Sequence, residues 1–285
     1  MVDRVLFGPW SAADTATAME RAGKSGWSLI PNGFYDLLAY FPDDVLATDC
    51  SAFDWTYPAW VIDPIIDVKL EQMGSLPDGY ATAVRTRITE VLGVNCTLRL
   101  PDGQRLRQLV PGIMKSGWFL TINLNSDAQD MLTTLAYRRA YGSECPLLWA
   151  MGDDVLMRWP QGQDSAPLVQ QLRRAGILSK FATPSREFSG FAVKRTGSDI
   201  AVNPLYPNKH KYLLAHTSAT DLEEVITSFG MIYALAEPDV KAWLEPLLRQ
   251  YSRWPQSSFR AWAHGLLSHA PLLQTGDAAG SFGLE

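Results

Sequence analysis

The sequence has little of several features that mark particular classes of protein. It carries three cysteines in 285 residues, at positions 50, 96 and 145. This odd, widely spaced set forms neither a disulfide framework nor a paired zinc knuckle, which predicts a reducing, cytosolic setting. The chain has no run of about 18 or more apolar residues, so no membrane span is expected. The start MVDRVLFGPW lacks the basic residues and long apolar stretch of a secretory signal.

Several catalytic motifs are also missing from the sequence. The four histidines show neither HxxxH nor HExxH spacing, and they are interpreted as surface or thumb residues rather than metal ligands. No serine has a companion arrangement of His and Asp, and no GxxxxGK[ST] loop is present, which argues against a hydrolase and an ATPase. A charged fraction of 19% and an aromatic content of 11% argue against a disordered chain. The net charge of −5 decides little about nucleic acids, because local charge governs phosphate binding.

The periodicity of apolar residues predicts an α+β fold with a helical C-terminal third. Tight turns are predicted at Pro101–Gly103 and at Gly152–Asp154, each between two short strands. Ser11 is expected to cap the first helix. The predicted helices are 12–22, 58–70, 80–92, 121–141, 166–175 and most of the chain from 220, and the predicted strands are 45–49, 96–100, 147–151, 155–159 and 187–195.

Three carboxylates carry most of the predicted chemistry. Asp49 ends a predicted buried strand, and Asp153 and Asp154 lie in a predicted strand-to-strand turn. Buried carboxylates are costly unless they are paired or bind metal. Two acidic strand ends side by side make a hard oxygen site suited to two Mg²⁺ or Mn²⁺ ions. Such ions clamp the attacking and leaving oxygens of an in-line phosphoryl transfer.

Three motifs follow one another along the chain. They are Dx₄D from Asp49 to Asp54, SGxxxTxxxNS from Ser116 to Ser126, and GDD from Gly152 to Asp154. In this order they resemble motifs A, B and C of RNA-dependent RNA polymerases of positive-strand RNA viruses. The wording of PGIMKSG, VDRVLFG, FDW and AMG is similar to the sobemovirus-like group. The resemblance extends from residue 1 to about residue 215.

The resemblance implies roles for individual residues. Asp49 and Asp153 would hold both metal ions with help from Asp154, and Gly117 would let the template strand approach the backbone. Lys180 would protonate the pyrophosphate leaving group, although an exposed surface lysine is an equal alternative. The ribose pocket would comprise Asp54 and Asn125, supported by Ser116 and Thr121. Lys194 and Arg195 would contact phosphates of the primer.

The resemblance also implies an architecture and a set of partners. The expected fold is a right-hand polymerase palm, an RRM-like antiparallel sheet packed on helices. Residues 1–45 would be partial fingers and N-terminal palm, 46–197 the palm, and 198–285 a helical thumb with a tail. The expected partners are an RNA template, a primer or nascent strand, ribonucleoside triphosphates and other viral replication proteins, in the host cell cytoplasm. A fingers region with basic motif F is expected upstream of residue 1.

Two other functions stay open at this point. A reverse transcriptase shares the palm metal geometry, but it usually carries an aromatic residue before its Asp pair and a bulky residue that blocks the 2′-hydroxyl. Met151 and the pair Asp54 and Asn125 argue against that reading. A catalytically incomplete palm acting as an RNA-binding subunit is the second alternative. Val155, where related viruses usually carry serine, is a departure from the pattern.

Overall fold

The computed structural model describes residues 1–267, apart from the side chains of Lys180 and Phe181, and it divides into two compact units. Unit 1 contains residues 1–27 and 43–188, and unit 2 contains residues 28–42 and the chain from residue 189. The predicted boundaries at residues 45/46 and 197/198 stay predictions. The expected C-terminal tail lies outside the described residues.

Unit 1 is built around a four-stranded antiparallel sheet with the strand order β4-β5-β1-β6. Mixed helices and antiparallel strands confirm the coarse α+β prediction. The strands of unit 1 are β1 Val45–Cys50, β2 Thr97–Arg99, β3 Arg105–Arg107, β4 Leu148–Met151, β5 Asp154–Arg158, β6 Ser179–Thr183 and β7 Glu187–Phe188. Its helices are α1 Val2–Ala16, α3 Phe53–Thr56, a 3₁₀ turn Ala59–Val61, α4 Ile62–Gln72, α5 Tyr80–Leu92, α6 Thr121–Tyr141 and α7 Ala166–Arg174, and α2 belongs to unit 2.

The longest helix, α6, packs against the sheet through a regular apolar stripe. Leu124, Ala128, Leu132 and Ala136 follow at four-residue spacing and are almost fully buried. Residues four apart lie on one face of an α-helix, so this stripe points to one side. That face packs against β4 and α7. Burial of the stripe fixes the helix relative to the strands that carry the predicted acidic residues.

The first helix differs from its prediction. It runs from Val2 to Ala16, whereas the sequence predicted residues 12–22 with Ser11 as the cap. Pro9 lies inside the helix, a position that removes one backbone hydrogen bond. Phe7 and Trp10 are 0% and 3% exposed, and both belong to the main core of unit 1. Burial of these two rings in the core therefore stabilises the helix more than Pro9 destabilises it.

Unit 2 combines a β-hairpin with short helices. Strand β8 pairs antiparallel with β9, with Val193 opposite Val202. The predicted strand 187–195 is interrupted, because Ser189 and Gly190 both have positive φ angles, 52° and 77°. The elements of unit 2 are α2 Gly33–Tyr40, β8 Phe191–Thr196, β9 Asp199–Pro204, α8 Pro207–Ala215, α9 Leu222–Ile232, α10 Pro238–Lys241, α11 Glu245–Tyr251 and α12 Gln256–Ala263.

The helices after residue 220 share a small core. Ile226, Phe229, Tyr233, Ala236 and Leu244 pack together in unit 2. The helical character predicted from residue 220 is confirmed as far as the structure describes the chain, whereas residues 199–204 form a strand within the segment predicted as a helical thumb. Nowhere in residues 1–267 is a helix long and apolar enough to cross a membrane.

Candidate active site

The three predicted metal-binding carboxylates lie at one end of the sheet of unit 1. Strand β1 runs antiparallel to β5 with Thr48 opposite Val155, so Asp49 lies at the end of the sheet where β5 begins. Asp154 starts β5 and pairs with Met151 of β4. Gly152 and Asp153 form the turn between β4 and β5, and Gly152 has a φ of +64°, which favours glycine. The sheet register therefore brings Asp49, Asp153 and Asp154 to the same end of the central strands. This end of the sheet is the acidic edge.

The buried thiol of Cys50 is affected by the charges of all three carboxylates. Cys50 is 3% exposed, and burial is the main reason that its pKa rises to about 12. The negative charges of Asp153, Asp49 and Asp154 raise it further. The negative charges of the three carboxylates thus act on the same neighbouring group at the acidic edge.

The donor chemistry of this edge suits a hard divalent cation. Carboxylate oxygens are the ligands that Mg²⁺ prefers, and Asp49, Asp153 and Asp154 supply them from two adjacent strands. Among residues 1–267, no group of three or more His, Cys, Asp or Glu side chains is arranged so that it could hold a metal ion. The assignment of metal to these residues is therefore a proposal.

A second polar cluster joins three distant parts of the chain. The carboxylate of Asp54, on α3, accepts a hydrogen bond from Asn125 Nδ2 at 2.9 Å. Its other oxygen accepts a hydrogen bond from Ser116 Oγ. The amide oxygen Oδ1 of Asn125 is buried, and it has no hydrogen-bond partner among the described residues. The cluster therefore contains a carboxylate and a buried amide oxygen that has no hydrogen-bond partner among the described residues.

The loop before α6 supports this cluster through its backbone. Thr121 Oγ1 donates to the carbonyl of Lys115 at 2.7 Å, and the amide of Met114 donates to the carbonyl of Asp54 at 2.7 Å. Gly117 has a φ of +86°, which other residues rarely adopt, and a Cβ there would meet no atom within 4 Å. The need for glycine at Gly117 thus comes from the backbone angle rather than from crowding by neighbouring residues.

The remaining predicted site residues lie on other strands. Lys180 is on β6 beside β1, and its side chain is outside the described part of the structure. Lys194 and Arg195 are exposed on β8 in unit 2. Lys194 Nζ lies 2.8 Å from the Glu237 carboxylate, and Arg195 Nε donates to the carbonyl of Gly197 at 3.4 Å. Their predicted roles stay predictions.

Two residues without a predicted role connect α6 to the turn with Asp153: Ser126, the last residue of the second motif, and Gln129, which lies outside the motifs. Ser126 Oγ accepts a hydrogen bond from the Gly152 amide at 3.0 Å and donates to the carbonyl of Ile122 at 2.7 Å. Gln129 donates to the carbonyl of Asp153 at 3.0 Å. Both are buried polar residues on a helix whose stripe of buried residues is otherwise apolar. This pattern in the sequence could have identified them. A polar residue on such a face needs a partner inside the protein.

Comparison with known families agrees with the motifs. Residues 82–195 match a family model described as viral RNA-directed RNA-polymerase. This segment contains the loop before α6, the helix itself and the turn with Asp153 and Asp154. The resemblance to viral RNA polymerases of the sobemovirus-like group is therefore confirmed.

Individual relatives come from several groups of viruses. The chain is 31% identical over 173 residues to the replicase polyprotein P2AB of Cocksfoot mottle virus, covering 59% of this chain and 17% of the relative. It is 36% identical over 123 residues to protein P1-P2 of Pea enation mosaic virus-1, covering 42% and 10%. It is 32% identical over 150 residues to the RNA-directed RNA polymerase of Mushroom bacilliform virus, covering 52% and 34%. The matched segments thus span between 10% and 34% of these relatives.

Proposed function

We propose that this chain, which is similar to viral RNA-directed RNA polymerases of the sobemovirus-like group, contains the palm and thumb of an enzyme that copies RNA into RNA. The observation that carries the proposal is the hydrogen-bonded cluster of Asp54, Ser116 and Asn125. It joins residues 62 and 71 positions apart in sequence. Asp54 also lies five positions after Asp49, so the cluster and the acidic edge are tied through one short segment. Unit 1 would be the palm, and the helices of unit 2 would include the thumb.

The acidic edge would bind two Mg²⁺ or Mn²⁺ ions. Asp49 and Asp153 would be ligands of both ions, with Asp154 assisting. When bound, such ions supply activation of a 3′-hydroxyl and neutralisation of the charge on the leaving pyrophosphate. The protein would hold these carboxylates close together at the ends of adjacent strands. Lys180, on the strand next to Asp49, would donate a proton to the leaving group.

The polar cluster would recognise the ribose of the incoming nucleotide. A 2′-hydroxyl can donate its hydrogen bond to Asn125 Oδ1 or to the Asp54 carboxylate, both of which are acceptors. Asn125 is 5% exposed, so a deoxyribonucleotide would leave its oxygen without a partner in a buried position. A site of this kind rejects the analogue that lacks the hydroxyl. Thr121 and Ser116 would keep the loop and Asp54 in place.

The RNA strands would be held mainly by charge and backbone geometry. Gly117 would leave open space for the template backbone, and Lys194 and Arg195 would contact primer phosphates. Because Lys194 lies beside Glu237, its contact with a phosphate would compete with that carboxylate. The enzyme would act in the host cell cytoplasm with an upstream fingers segment and other viral replication proteins.

Primer extension on an RNA template tests the function. We expect incorporation of ribonucleotides with Mg²⁺ or Mn²⁺, either by this chain or by a longer polypeptide that includes the upstream fingers sequence. Activity of the longer polypeptide alone would mean that the fingers are required. Preferential use of deoxyribonucleotides would identify a reverse transcriptase instead. RNA binding without any metal-dependent extension in both proteins would favour the RNA-binding subunit and contradict the proposal.

The substitution Asn125→Ala should weaken the preference for ribonucleotides. The ratio of ribonucleotide to deoxyribonucleotide incorporation should fall at least about tenfold, because a polar partner of the 2′-hydroxyl is lost. The matched control is Asn123→Ala, two positions earlier on α6. Asn123 is also buried, but its amide donates to Asp14 at 2.9 Å rather than to Asp54. The control should lower stability and leave the ratio unchanged. A wild-type ratio in Asn125→Ala would contradict the ribose role.

A further inference from the structure

Gln129 contacts both segments that carry the acidic residues. It lies on α6 one turn after Asn125 and is 1% exposed. Its amide nitrogen is 3.0 Å from the carbonyl oxygen of Asp153 and 3.1 Å from Cys50 Sγ. A primary amide has two N–H groups, so the nitrogen can donate to both acceptors at once. One side chain therefore bridges the end of β1 and the turn between β4 and β5.

The bridge lies where the backbone pairing of the sheet changes. The described pairs between β1 and β5 end at Thr48 and Val155, one residue before Asp49. On the other side of β1, the pairing with β6 shifts register between Asp49 and Cys50. Strand ends with irregular pairing are held less firmly by the ladder than strand centres. A buried side chain that joins Cys50 to Asp153 adds a constraint at this point.

The helix that carries Gln129 is itself fixed relative to the turn. Ser126, three residues earlier, accepts a hydrogen bond from the amide of Gly152 at 3.0 Å. The apolar stripe of α6 described above is buried against the sheet. Gln129 thus acts from a rigid element, which is the condition for a side chain to hold its partners at a constant distance.

We infer that Gln129 is a positioning residue that sets the spacing between Asp49 and Asp153 for binding of divalent cations. This inference rests on the proposed function. Gln129 does not provide a metal ligand through either contact, since its nitrogen donates hydrogen bonds to a backbone carbonyl and a thiol. It acts on the backbone carbonyl of Asp153 and on the side chain of Cys50, the residue that follows Asp49. Residues that orient metal ligands in this way typically contribute about tenfold to a hundredfold in affinity.

The test is Mn²⁺ binding by the full 285-residue chain, measured from the free Mn²⁺ signal in electron paramagnetic resonance. Gln129→Met preserves the approximate size of the side chain and removes both N–H donors. Its Mn²⁺ affinity should fall about tenfold or more. Thr133→Val is the matched control, because Thr133 is on the same helix, is 1% exposed, and its hydroxyl has no partner among the described residues. The control should bind Mn²⁺ as the wild type does.

Enzyme kinetics give a second measurement that a general loss of stability would not reproduce. In the active polymerase, Gln129→Met should raise the Mn²⁺ concentration for half-maximal rate about tenfold, with most of kcat recovered at saturating Mn²⁺. If Gln129→Met does not fold, Gln129→Asn replaces it, since its shorter amide reaches the two acceptors less well. Weaker Mn²⁺ binding by Gln129→Asn would support the inference, and wild-type affinity would overturn it.

The outcomes separate this inference from the proposed function. Wild-type binding of Mn²⁺ that is lost in Asp153→Ala but unchanged in Gln129→Met would overturn the role of Gln129 alone. Absence of any Asp153-dependent binding in the wild type would overturn both. Equal weakening in Gln129→Met and Thr133→Val would mean that the effect is a general one of α6, and it would also overturn the inference.

Discussion

Asp153→Asn should reduce nucleotidyl transfer by at least about a thousandfold, the scale on which loss of a charge-stabilising group acts in phosphoryl transfer. The substitution removes a negative charge from the acidic edge and keeps the shape of the side chain. Asparagine offers one neutral carbonyl oxygen in place of a carboxylate, so it is a much weaker ligand for Mg²⁺. Because the proposed reaction depends on metal ions at this edge, the loss should appear in kcat.

The fold should tolerate this change. Two hydrogen bonds from α6 to the turn involve the amide of Gly152 and the backbone carbonyl of Asp153, and both survive the substitution. The melting temperature should therefore stay close to that of the wild type. Asp102→Asn is the matched control, since Asp102 accepts a hydrogen bond from the amide of Gln104 at 2.9 Å in an exposed turn. Wild-type rates for Asp153→Asn with both Mg²⁺ and Mn²⁺ would sink the metal assignment.

The elements with strong periodicity could be predicted from the sequence. Helices at residues 80–92 and 121–141 are confirmed with the same bounds. They could be predicted because apolar residues recur on one face and glycine follows each helix. The turn at Gly152 is confirmed by the pairing of β4 with β5. It could be predicted because a short polar segment separates two apolar runs. In these segments the local signal and the tertiary packing agree.

Other elements depend on packing that a linear pattern does not reveal. Helix α1 continues through Pro9 because Phe7 and Trp10 are buried in the core of unit 1. Strand β9 was missed because its alternation is weak, and its identity as a strand comes from pairing with β8. Pro207 begins α8, which lies in the segment predicted as a helical thumb, although no individual helix was predicted there.

The candidate site was only partly accessible to sequence reasoning. The motifs indicated Asp54, Ser116 and Asn125 as a group, and the structure places them in hydrogen-bond contact. The spacing of the motifs could not indicate a role for Gln129, because its two contacts depend on how α6 packs against the end of β1. The role of each residue in catalysis stays a prediction.

Lys69→Met should lower the free energy of unfolding by about 3 kcal/mol, the cost of breaking a buried ion pair. Lys69 is 3% exposed on α4, and its Nζ lies 2.7 Å from Asp14 Oδ1 and 3.1 Å from Asp127 Oδ2. These contacts link α1, α4 and α6. Burial lowers the pKa of Lys69 to about 8 and raises the pKa of Asp127. The substitution leaves two buried carboxylates with Arg21 as their remaining cationic partner.

Thermal unfolding measures this effect. For a chain of this size the melting temperature should fall by roughly 6–12 °C. Arg85→Met is the matched control, because Arg85 pairs with Asp67 at the surface, where the side chains are 42% and 62% exposed. Exposed pairs contribute about 0–1 kcal/mol, so the control should change the melting temperature little. Equal losses for the two variants would show that the buried network does not stabilise unit 1.

The pH dependence distinguishes an unpaired buried charge from a simple loss of packing. In Lys69→Met, Asp127 loses a cation that lowers its pKa, so its pKa in the folded protein, which burial already raises, should rise further above that in the unfolded chain. The folded state then binds protons more readily than the unfolded state as the pH falls. The destabilisation should therefore be smaller at pH 5 than at pH 8. A difference from the wild type that stays constant between these pH values would mean that Lys69 contributes through packing rather than charge.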